Sequence, residues 1–281
     1  MIKKLFKNKS LRRIFLPILK YTNFDIRIRH HWTGKKLKIN TYRHKGYWAH
    51  GKNREKATLK IFESLIQEGQ TVVEVGGHVG YFTMFFSFLV GETGRVIVFE
   101  PGINNLPYIR KNTEQIQNIT LIEKAIGNEN REKVTFYMDN VTGQNNSMLE
   151  EFEGLKANME YAMDDQSEVT KVDVELVTLD SFCQSEGGMP DVIKIDVEGF
   201  EFEVLQGGSD VLSSHPVLMV EIQRNEKEVF EFLSQYGYQL FTAGKKRVTL
   251  QLLLDAHLQN VFCLHPETHQ QFIAQIFAAA S

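Results

Sequence analysis

The chain has little cysteine and no long apolar run. Its 281 residues include two cysteines, Cys183 and Cys263, which are too few for a disulfide framework and fit a reducing compartment. Nothing near either cysteine in the sequence resembles an activating base, so we expect no catalytic thiol. No apolar stretch reaches the ~18 residues of a transmembrane helix, and the apolar part of residues 1–20 is too short for a signal peptide. We therefore expect a cytoplasmic protein.

Acidic residues are nearly missing from the first 56 positions. That segment holds 17 Lys and Arg against two acids, Asp25 and Glu55, for a net charge of +15, whereas residues 57–281 carry −18. The overall composition, 42% hydrophobic and 24% charged, is that of a globular protein. We therefore predict a basic N-terminal extension, residues 1–56, and one domain, residues 57–281.

The start of the basic extension has the pattern of an amphipathic helix. Residues 3–13 contain six cations, interleaved with the apolar residues Leu11, Ile14, Phe15 and Ile18. Such a helix can dock on its own domain or on a second copy of the chain, which would make a homo-oligomer. Alternatively, residues 1–20 make a peripheral contact with an anionic membrane. We expect no nucleic-acid partner, because the segment contains no recognisable binding module.

Residues 71–83 read as a strand, a glycine turn and the start of a helix. The valines of Thr71–Val75 are typical of a buried parallel strand, and the apolar run Tyr81–Val90 is typical of the helix that follows. The glycines of the turn are Gly76, Gly77 and Gly80. This arrangement forms a cradle for a polar or anionic cofactor.

An acidic residue at the end of this strand indicates which cofactor binds. Glu74 precedes Gly76 by two positions, where it would repel the pyrophosphate of a dinucleotide. The dinucleotide motif G-x-G-x-x-G also requires glycine at the position of His78. S-adenosylmethionine carries an ammonium and a sulfonium and no phosphate, so a carboxylate suits it. A plain buried turn between strand and helix remains the alternative.

A second acidic residue follows the next predicted strand. Glu100 lies 24 positions after Gly76, at the distance typical of an acid that accepts hydrogen bonds from ribose hydroxyls, and Pro101 ends the strand. We expect this strand end to be exposed. After a third strand, Ala125 and Ile126 are small and apolar enough to contact the adenine, although a simple turn fits them equally well.

The fourth predicted strand, residues 191–195, leads to the candidate catalytic residues. It is followed by Asp196 and Glu198. In an open α/β sheet, ligands bind beyond the carboxyl ends of the strands, where the strand order reverses. The first and fourth strands should be neighbours there, so that Glu74 and Asp196 face one crevice. Asp196 is the first catalytic candidate and Glu198 the second, whereas Glu201 and Glu203 are expected in the first turns of the next helix.

Four motifs together resemble the FkbM family of S-adenosylmethionine-dependent methyltransferases. They are VVEVGGHVGYFT (72–83), VFEP (98–101), VTLDSF (177–182) and IKIDVEGFE (193–201). The resemblance spans about residues 72–223 and implies O-methyl transfer, often to sugars or polyketide hydroxyls. By position, Glu74, Gly76 and Gly80 match the cofactor loop, Glu100 the ribose acid, and Asp196 and Glu198 the fourth-strand motif. The chain departs from the family at Glu74, where Asp is usual, and at His78, where Asn is usual.

The resemblance also implies the fold. We expect an α/β class I, Rossmann-like methyltransferase domain whose seven-stranded sheet is mostly parallel with an antiparallel last strand. Gly237–Thr242 and Asn260–His265 should form the last antiparallel pair, with residues 244–247 in their connection. Residues 138–170 are long for a connection and are predicted to be a lid or substrate loop, with a surface insertion as the alternative.

The leading interpretation is an O-methyltransferase that acts on a small-molecule or glycan hydroxyl. Alternatives are an NAD-dependent oxidoreductase or epimerase and a non-catalytic cofactor-binding scaffold. We expect no metal site; the alternative is Mg²⁺ held by oxygen atoms of Asp196, Glu221 and Gln223. The histidines of the basic extension could reach the substrate, but we expect surface histidines. They are His30, His31, His44 and His50.

Overall fold

The computed structural model describes residues 16–277, apart from residues 154–168, 187, 257 and 259. Residues 16–21 are helical. The strands are β1 (Asp25–Arg29), β2 (Lys36–Asn40), β3 (Thr71–Val75), β4 (Arg95–Phe99), β5 (Ile119–Ile122), β6 (Ala125–Ile126), β7 (Arg131–Met138), β8 (Thr170–Val177), β9 (Val192–Ile195), β10 (Val217–Glu221), β11 (Gln239–Thr242), β12 (Arg247–Val248) and β13 (Asn260–Leu264).

Helices alternate with most of these strands, as in other α/β folds. They are α1 (Lys45–His50), α2 (Lys56–Leu65), α3 (Tyr81–Val90), α4 (Leu106–Thr113), α5 (Leu179–Glu186), α6 (Glu201–Gln206), α7 (Ser209–Ser213), α8 (Glu226–Gln235), α9 (Leu250–Ala256) and α10 (Gln270–Ile276), with a short 3₁₀ turn at Gly51–Asn53. Glu201 and Glu203 lie in the first turn of α6, as predicted.

The central sheet has eight strands in the described residues, in the order β12-β11-β13-β10-β9-β3-β4-β5. The strands from β10 to β5 in this order are parallel, and β13 is antiparallel to both β10 and β11. The predicted mostly parallel class I sheet is confirmed, and so is its antiparallel last pair. The predicted number of strands is wrong by one, because Val248 is buried and pairs with Leu240 at the sheet edge as part of β12.

The two faces of the sheet form separate apolar cores because side chains alternate along each strand. Val72 and Val192 face α2, α3 and α10. Val73 and Ile193 face the helices of the opposite layer, α5 to α9. In α2, Leu59, Phe62 and Leu65 recur at helical spacing and are fully buried.

The strand order reverses between β3 and β9, which are parallel neighbours as predicted. From β3 the chain proceeds outward to β4 and β5, and it then returns to place β9 and β10 on the other side. The carboxyl ends of β3 and β9 therefore diverge around one crevice. The register places Glu74 directly opposite Lys194, so both side chains belong to the face that α3 covers.

A second sheet of three strands, β6-β8-β7, was not anticipated from the sequence. Ala125 and Ile126 were predicted to lie in a loop, but they pair in parallel with Leu176 and Val177 of β8. After β7 the chain folds back, and Tyr137 exchanges backbone hydrogen bonds with Ser147. Of the predicted loop 138–170, residues 154–168 lie outside the described residues.

The residues between 25 and 53 pack onto the same core as the rest of the chain. Strands β1 and β2 form an antiparallel hairpin, and Leu37 and Ile39 of β2 share a core cluster with Tyr47, Phe62 and Phe85. The division at residue 56 stays a prediction, and residues 1–15 lie outside the described part. None of the helices in the described residues combines the length and apolar character needed to cross a membrane.

Candidate active site

A cavity occupies the crevice beyond the carboxyl ends of β3, β4, β9 and β10. Its wall contains nine of the predicted site residues, and these are Glu74, Gly76, Gly77, Glu100, Pro101, Ala125, Ile126, Asp196 and Glu198. Gly80 lies outside the wall at the start of α3. More acids than bases line the cavity. The acids are Glu55, Glu74, Glu100, Asp196, Glu198 and Glu221, and the bases are Arg54, Lys124 and Lys194.

The turn after β3 requires glycine because it is pressed against its neighbours. Gly76 has φ of +91°, and a Cβ there would lie 1.9 Å from the backbone oxygen of Asp196. A Cβ at Gly77 would lie 2.4 Å from Cγ2 of Val98. The amides of both glycines donate to the carbonyl of Phe99, at 3.0 and 3.1 Å. These two amides are thus already hydrogen-bonded within the protein. What the turn offers to a ligand is a backbone without side chains, which the ligand can approach closely.

Glu74 is buried at the end of β3 and contacts both α3 and β9. The hydroxyl of Thr83 donates to its Oε2 at 2.6 Å, and Nζ of Lys194 lies 3.8 Å from its Oε1. Burial raises the pKa of Glu74 to about 7, against the opposing effect of Lys194. The ordinary pKa is 4.5, so this raised value leaves the carboxyl only partly ionised at neutral pH. A cation that enters the cavity would favour its ionised form.

Lys194 is the functional residue that sequence reasoning missed. Its side chain is 2% exposed, and its Nζ lies 2.9 Å from Oδ2 of Asp196 and 5.0 Å from the ring centre of Phe82. Burial by itself would lower the pKa of Lys194, but Asp196 and Glu74 reverse this and the net shift is upward. The ammonium is therefore charged and links the two acids. The signal in the sequence was a single cation within the buried strand Val192–Ile195.

Three carboxyl groups at the carboxyl ends of β9 and β10 differ in pKa. They are those of Asp196, Glu198 and Glu221. Burial would raise the pKa of Asp196, but Lys194 and a hydrogen bond from Glu221 lower it overall. The charge on Asp196, followed by burial, raises the pKa of Glu221 to about 11. Burial and the charge on Asp196 also raise the pKa of Glu198, which accepts a hydrogen bond from Nε2 of Gln223 at 2.8 Å. At neutral pH Asp196 is thus ionised beside the protonated Glu221.

Asp196 is also the accessible member of the Lys194 ion pair. Its side chain is 26% exposed, whereas those of Lys194 and Glu74 are almost fully covered. The carboxylate of Asp196 is therefore the part of this ion pair that is most open to a ligand in the crevice.

Glu100 is buried, with 4% of its surface exposed, so the expectation of an exposed strand end is wrong. Its Oε2 accepts the amide of His78 at 2.6 Å, and its Oε1 accepts the amide of Gly102 at 2.8 Å and Nδ2 of Asn105 at 3.2 Å. Burial raises the pKa of Glu100 to about 7. Since each carboxylate oxygen can accept two hydrogen bonds, Oε2 keeps room for one ribose hydroxyl.

Two further walls complete the cavity. Ala125 and Ile126 are buried and, with Phe99 and Phe136, form an apolar wall suited to a purine ring. On the other side, the hydroxyl of Tyr47 lies 2.9 Å from Nδ1 of His78.

The wall around Tyr47 was missed because it comes from the predicted extension. The guanidinium of Arg54 lies 4.2 Å from the ring centre of Tyr47.

The expectation of surface histidines is wrong for His30 and His44, which are each 1% exposed. Burial lowers the pKa of His30 to about 4, so this imidazole is neutral.

The candidate Mg²⁺ ligands are engaged with other partners. The ammonium of Lys194 lies against Asp196, Glu221 shares its proton with Asp196, and the amide of Gln223 donates to Glu198. No group of three or more His, Cys, Asp or Glu side chains among the described residues is arranged to hold a metal ion. The contacts therefore give no support to the Mg²⁺ alternative.

Comparison with known proteins identifies a family. The model of the Methyltransferase FkbM domain matches residues 74–240. A tRNA (adenine(57)-N(1)/adenine(58)-N(1))-methyltransferase TrmI of Methanocaldococcus jannaschii is 40% identical over 62 residues, which are 22% of this chain and 22% of that relative. The chain thus matches about a fifth of the length of this curated relative.

Solved structures resemble the chain distantly. A putative rRNA-methylase from Clostridium thermocellum has a TM-score of 0.41 and 16% identity, over 74% of this chain and 92% of that one. Aeropyrum pernix fibrillarin with natively bound S-adenosyl-L-methionine has a TM-score of 0.42 and 11% identity, over 87% and 83%. A SAM-dependent O-methyltransferase from Thermotoga maritima has a TM-score of 0.42 and 10% identity, over 75% and 64%. At these scores the likenesses carry no functional argument.

The position of Glu74 predicts a pH-dependent affinity for S-adenosylmethionine. Glu74→Gln should weaken binding tenfold or more, because a charge-assisted contact is worth ~1.5–3 kcal/mol. Since the pKa of Glu74 is about 7, wild-type affinity should rise between about pH 6 and pH 8, and less so in the variant. Calorimetry measures both, with the exposed Glu63→Gln as control. Equal affinity and equal pH dependence in Glu74→Gln would remove Glu74 from the donor site.

The buried position of Lys194 predicts a large, pH-dependent loss of stability in Lys194→Met. Breaking a buried ion pair costs about 3–5 kcal/mol, because Glu74 and Asp196 would remain without a cation. Both acids would then have a higher pKa in the folded protein than in the unfolded chain. The stability that such acids contribute is present below the pKa of the unfolded chain and is lost as the pH rises through the pKa of the folded protein. The deficit relative to wild type should therefore grow with rising pH.

Urea unfolding across pH measures this deficit. The matched control is Lys227→Met, which removes an exposed partner of Glu231 on α8 and should change the free energy of unfolding little. A deficit in Lys194→Met that is constant with pH would mean that lost packing, rather than lost charge, explains the effect.

Proposed function

This chain belongs to the FkbM methyltransferase family, and we propose that it is an S-adenosylmethionine-dependent methyltransferase that methylates a hydroxyl of a sugar, glycan or similar natural product. The observation that carries the proposal is the state of Asp196. An ionised, partly exposed carboxylate lies at the crevice beside the protonated Glu221. An alcohol acceptor needs such a group to receive its proton.

The residues of the donor side fit S-adenosylmethionine, which supplies a methyl group on a positively charged sulfur when bound. In this proposal Glu74 faces the ammonium of the donor and Glu100 accepts a ribose hydroxyl. The adenine packs against Ala125 and Ile126, and Gly76 lets the backbone approach closely. The raised pKa values of Glu74 and Glu100 support this assignment, because a donor that brings positive charge would favour the ionised form of both acids.

The acceptor side is built to orient a hydroxyl and take its proton. Alcohols are poor nucleophiles, so the enzyme must align the oxygen with the methyl group and assist loss of the proton. In this proposal Asp196 would accept the hydrogen bond of that hydroxyl and then its proton, while the methyl group passes from the donor sulfur to the oxygen and the sulfur leaves as a neutral thioether. Glu198, which Gln223 holds by a hydrogen bond, offers a further polar partner in the cavity wall, which supports an acceptor with several hydroxyls.

The class of acceptor is tested by incubation with labelled methyl donor. Host glycans, lipid-linked sugars and RNA are offered separately, and mass spectrometry locates the transferred methyl group. RNA is included because the curated relative is a tRNA methyltransferase. We expect label on a carbohydrate oxygen. Label on RNA bases, with none on carbohydrate, would replace the proposed acceptor while leaving the methyltransferase assignment in place.

The role of Asp196 predicts a specific loss of turnover. Asp196→Asn should still fold and bind S-adenosylmethionine, but should transfer methyl about a hundredfold more slowly, because removal of a general base costs about 10²–10⁴ in rate. Single-turnover measurements on the identified acceptor check this, with the exposed Asp173→Asn as control. Near-normal turnover would rule out the catalytic role and direct attention to Glu198.

Chelation separates a proton acceptor from a metal ligand. Because the ammonium of Lys194 already lies against Asp196, wild-type turnover should be unaffected by EDTA. Inhibition that added Mg²⁺ reverses would instead assign Asp196 to a metal site.

A further inference from the structure

The hairpin formed by β1 and β2 has a strongly basic outer face. Ile26 and Ile28 pack toward the core, so the alternating Arg27 and Arg29 point outward and are exposed. The register places Arg27 opposite Lys38, and Arg29 opposite Lys36. Like charges directly opposite each other destabilise a strand pair. The free protein therefore bears an electrostatic cost at this surface.

Little negative charge in the described residues offsets this cost. Lys38 is paired with Asp25, at 2.9 Å. Arg27, Arg29, Lys35 and Lys36 make no ion pair with any described residue. Arg27, Lys35 and Lys36 also line a groove beside α4, where Lys111 is already paired with Glu114. Four cations thus remain available to an external anion.

The residues just before the hairpin are apolar and exposed. Ile18 is 55% exposed, Tyr21 94% and Phe24 57%. They are three of the seven large hydrophobic side chains that are exposed in the described residues, and all three fall within seven positions. The amide of Phe24 donates to the hydroxyl of Thr41 and its carbonyl accepts the amide of Thr41, so this stretch joins the base of the hairpin.

We propose that residues 18–38 form a surface that binds an anionic membrane. Peripheral attachment to a bilayer combines a buried apolar area with attraction of cations to acidic headgroups. Here Ile18, Tyr21 and Phe24 supply the apolar part, and the outer face of the hairpin supplies the cations. Tyr21 and Phe24 could stack on bases, but the aliphatic Ile18 beside them extends the apolar area in a way that only a lipid interface would use, which favours a membrane. The inference is independent of the acceptor class proposed above.

The test uses the full chain and two sets of vesicles, phosphatidylcholine alone and phosphatidylcholine with phosphatidylserine. Wild-type protein should sediment with the acidic vesicles, and added salt should weaken this binding. A hairpin variant combines Arg27→Gln, Arg29→Gln, Lys35→Gln and Lys36→Gln. Its partition should fall at least roughly tenfold, because each cation near an acidic leaflet contributes severalfold. Since it loses like-charge contacts, its Tm should not fall.

Matched controls test whether vesicle binding depends on these particular residues, or only on the net charge and the number of exposed apolar side chains of the protein. The charge control carries the same four-charge change at exposed sites elsewhere, namely Lys60→Gln, Lys133→Gln, Lys245→Gln and Lys246→Gln. Tyr21→Ser with Phe24→Ser should also reduce vesicle binding. The exposed pair Phe88→Ser with Leu254→Ser should not. All variants should bind S-adenosylmethionine normally.

Three outcomes would overturn the inference. If wild-type protein does not sediment with the acidic vesicles, residues 18–38 do not form a membrane-binding surface. A hairpin variant that binds as well as wild type would place the contact in residues 1–15, which hold six cations of their own. If a single-stranded RNA oligonucleotide binds in anisotropy measurements and the hairpin variant loses it while vesicle binding is absent, the surface recognises nucleic acid.

Discussion

The charge of one buried ammonium organises the site. Parallel pairing of β3 with β9 sets Lys194 opposite Glu74, and two residues later the same strand ends in Asp196. Lys194 therefore contacts both the acid that we propose for the donor side and the acid that we propose for the acceptor side. It keeps Asp196 ionised, and the charge of Asp196 in turn keeps Glu221 protonated. The charge state of Asp196 and Glu221 thus depends on this cation, whereas burial is the main cause of the raised pKa values of Glu74 and Glu100.

The acids around the cavity should bind the donor and its product differently, because the donor loses a positive charge when its methyl group is transferred. S-adenosylmethionine is positive at sulfur, and its demethylated product is neutral there. Glu74 and Glu100 are poised near neutrality by burial. The ammonium that would face Glu74 is present in donor and product alike, so only the loss of the charge at sulfur would weaken the attraction of the product to the acids of the cavity. The same electrostatics that would bind the donor would therefore favour release of the product.

Sequence reasoning succeeded where the signal is local. The strand, turn and acid at Glu74 and the motif at Asp196 are contiguous, and the parallel neighbours followed from general rules of α/β topology. It failed where contacts depend on distant segments. The burial of Glu100 requires residues near 143, the wall at Tyr47 and Arg54 comes from a segment read as an extension, and the position of Lys194 depends on strand register. Periodicity reports burial of a face and not the partner that covers it.

Asn105 couples two parts of the cavity wall. Its Nδ2 donates to Oε1 of Glu100 and also to the carbonyl of Gly143, so one amide ties the carboxyl that follows β4 to the segment after β7. That segment also lines the crevice at Gln144 and Asn146. A ligand that displaced Glu100 would therefore also displace this segment through Asn105. The two walls respond to a bound molecule as one unit.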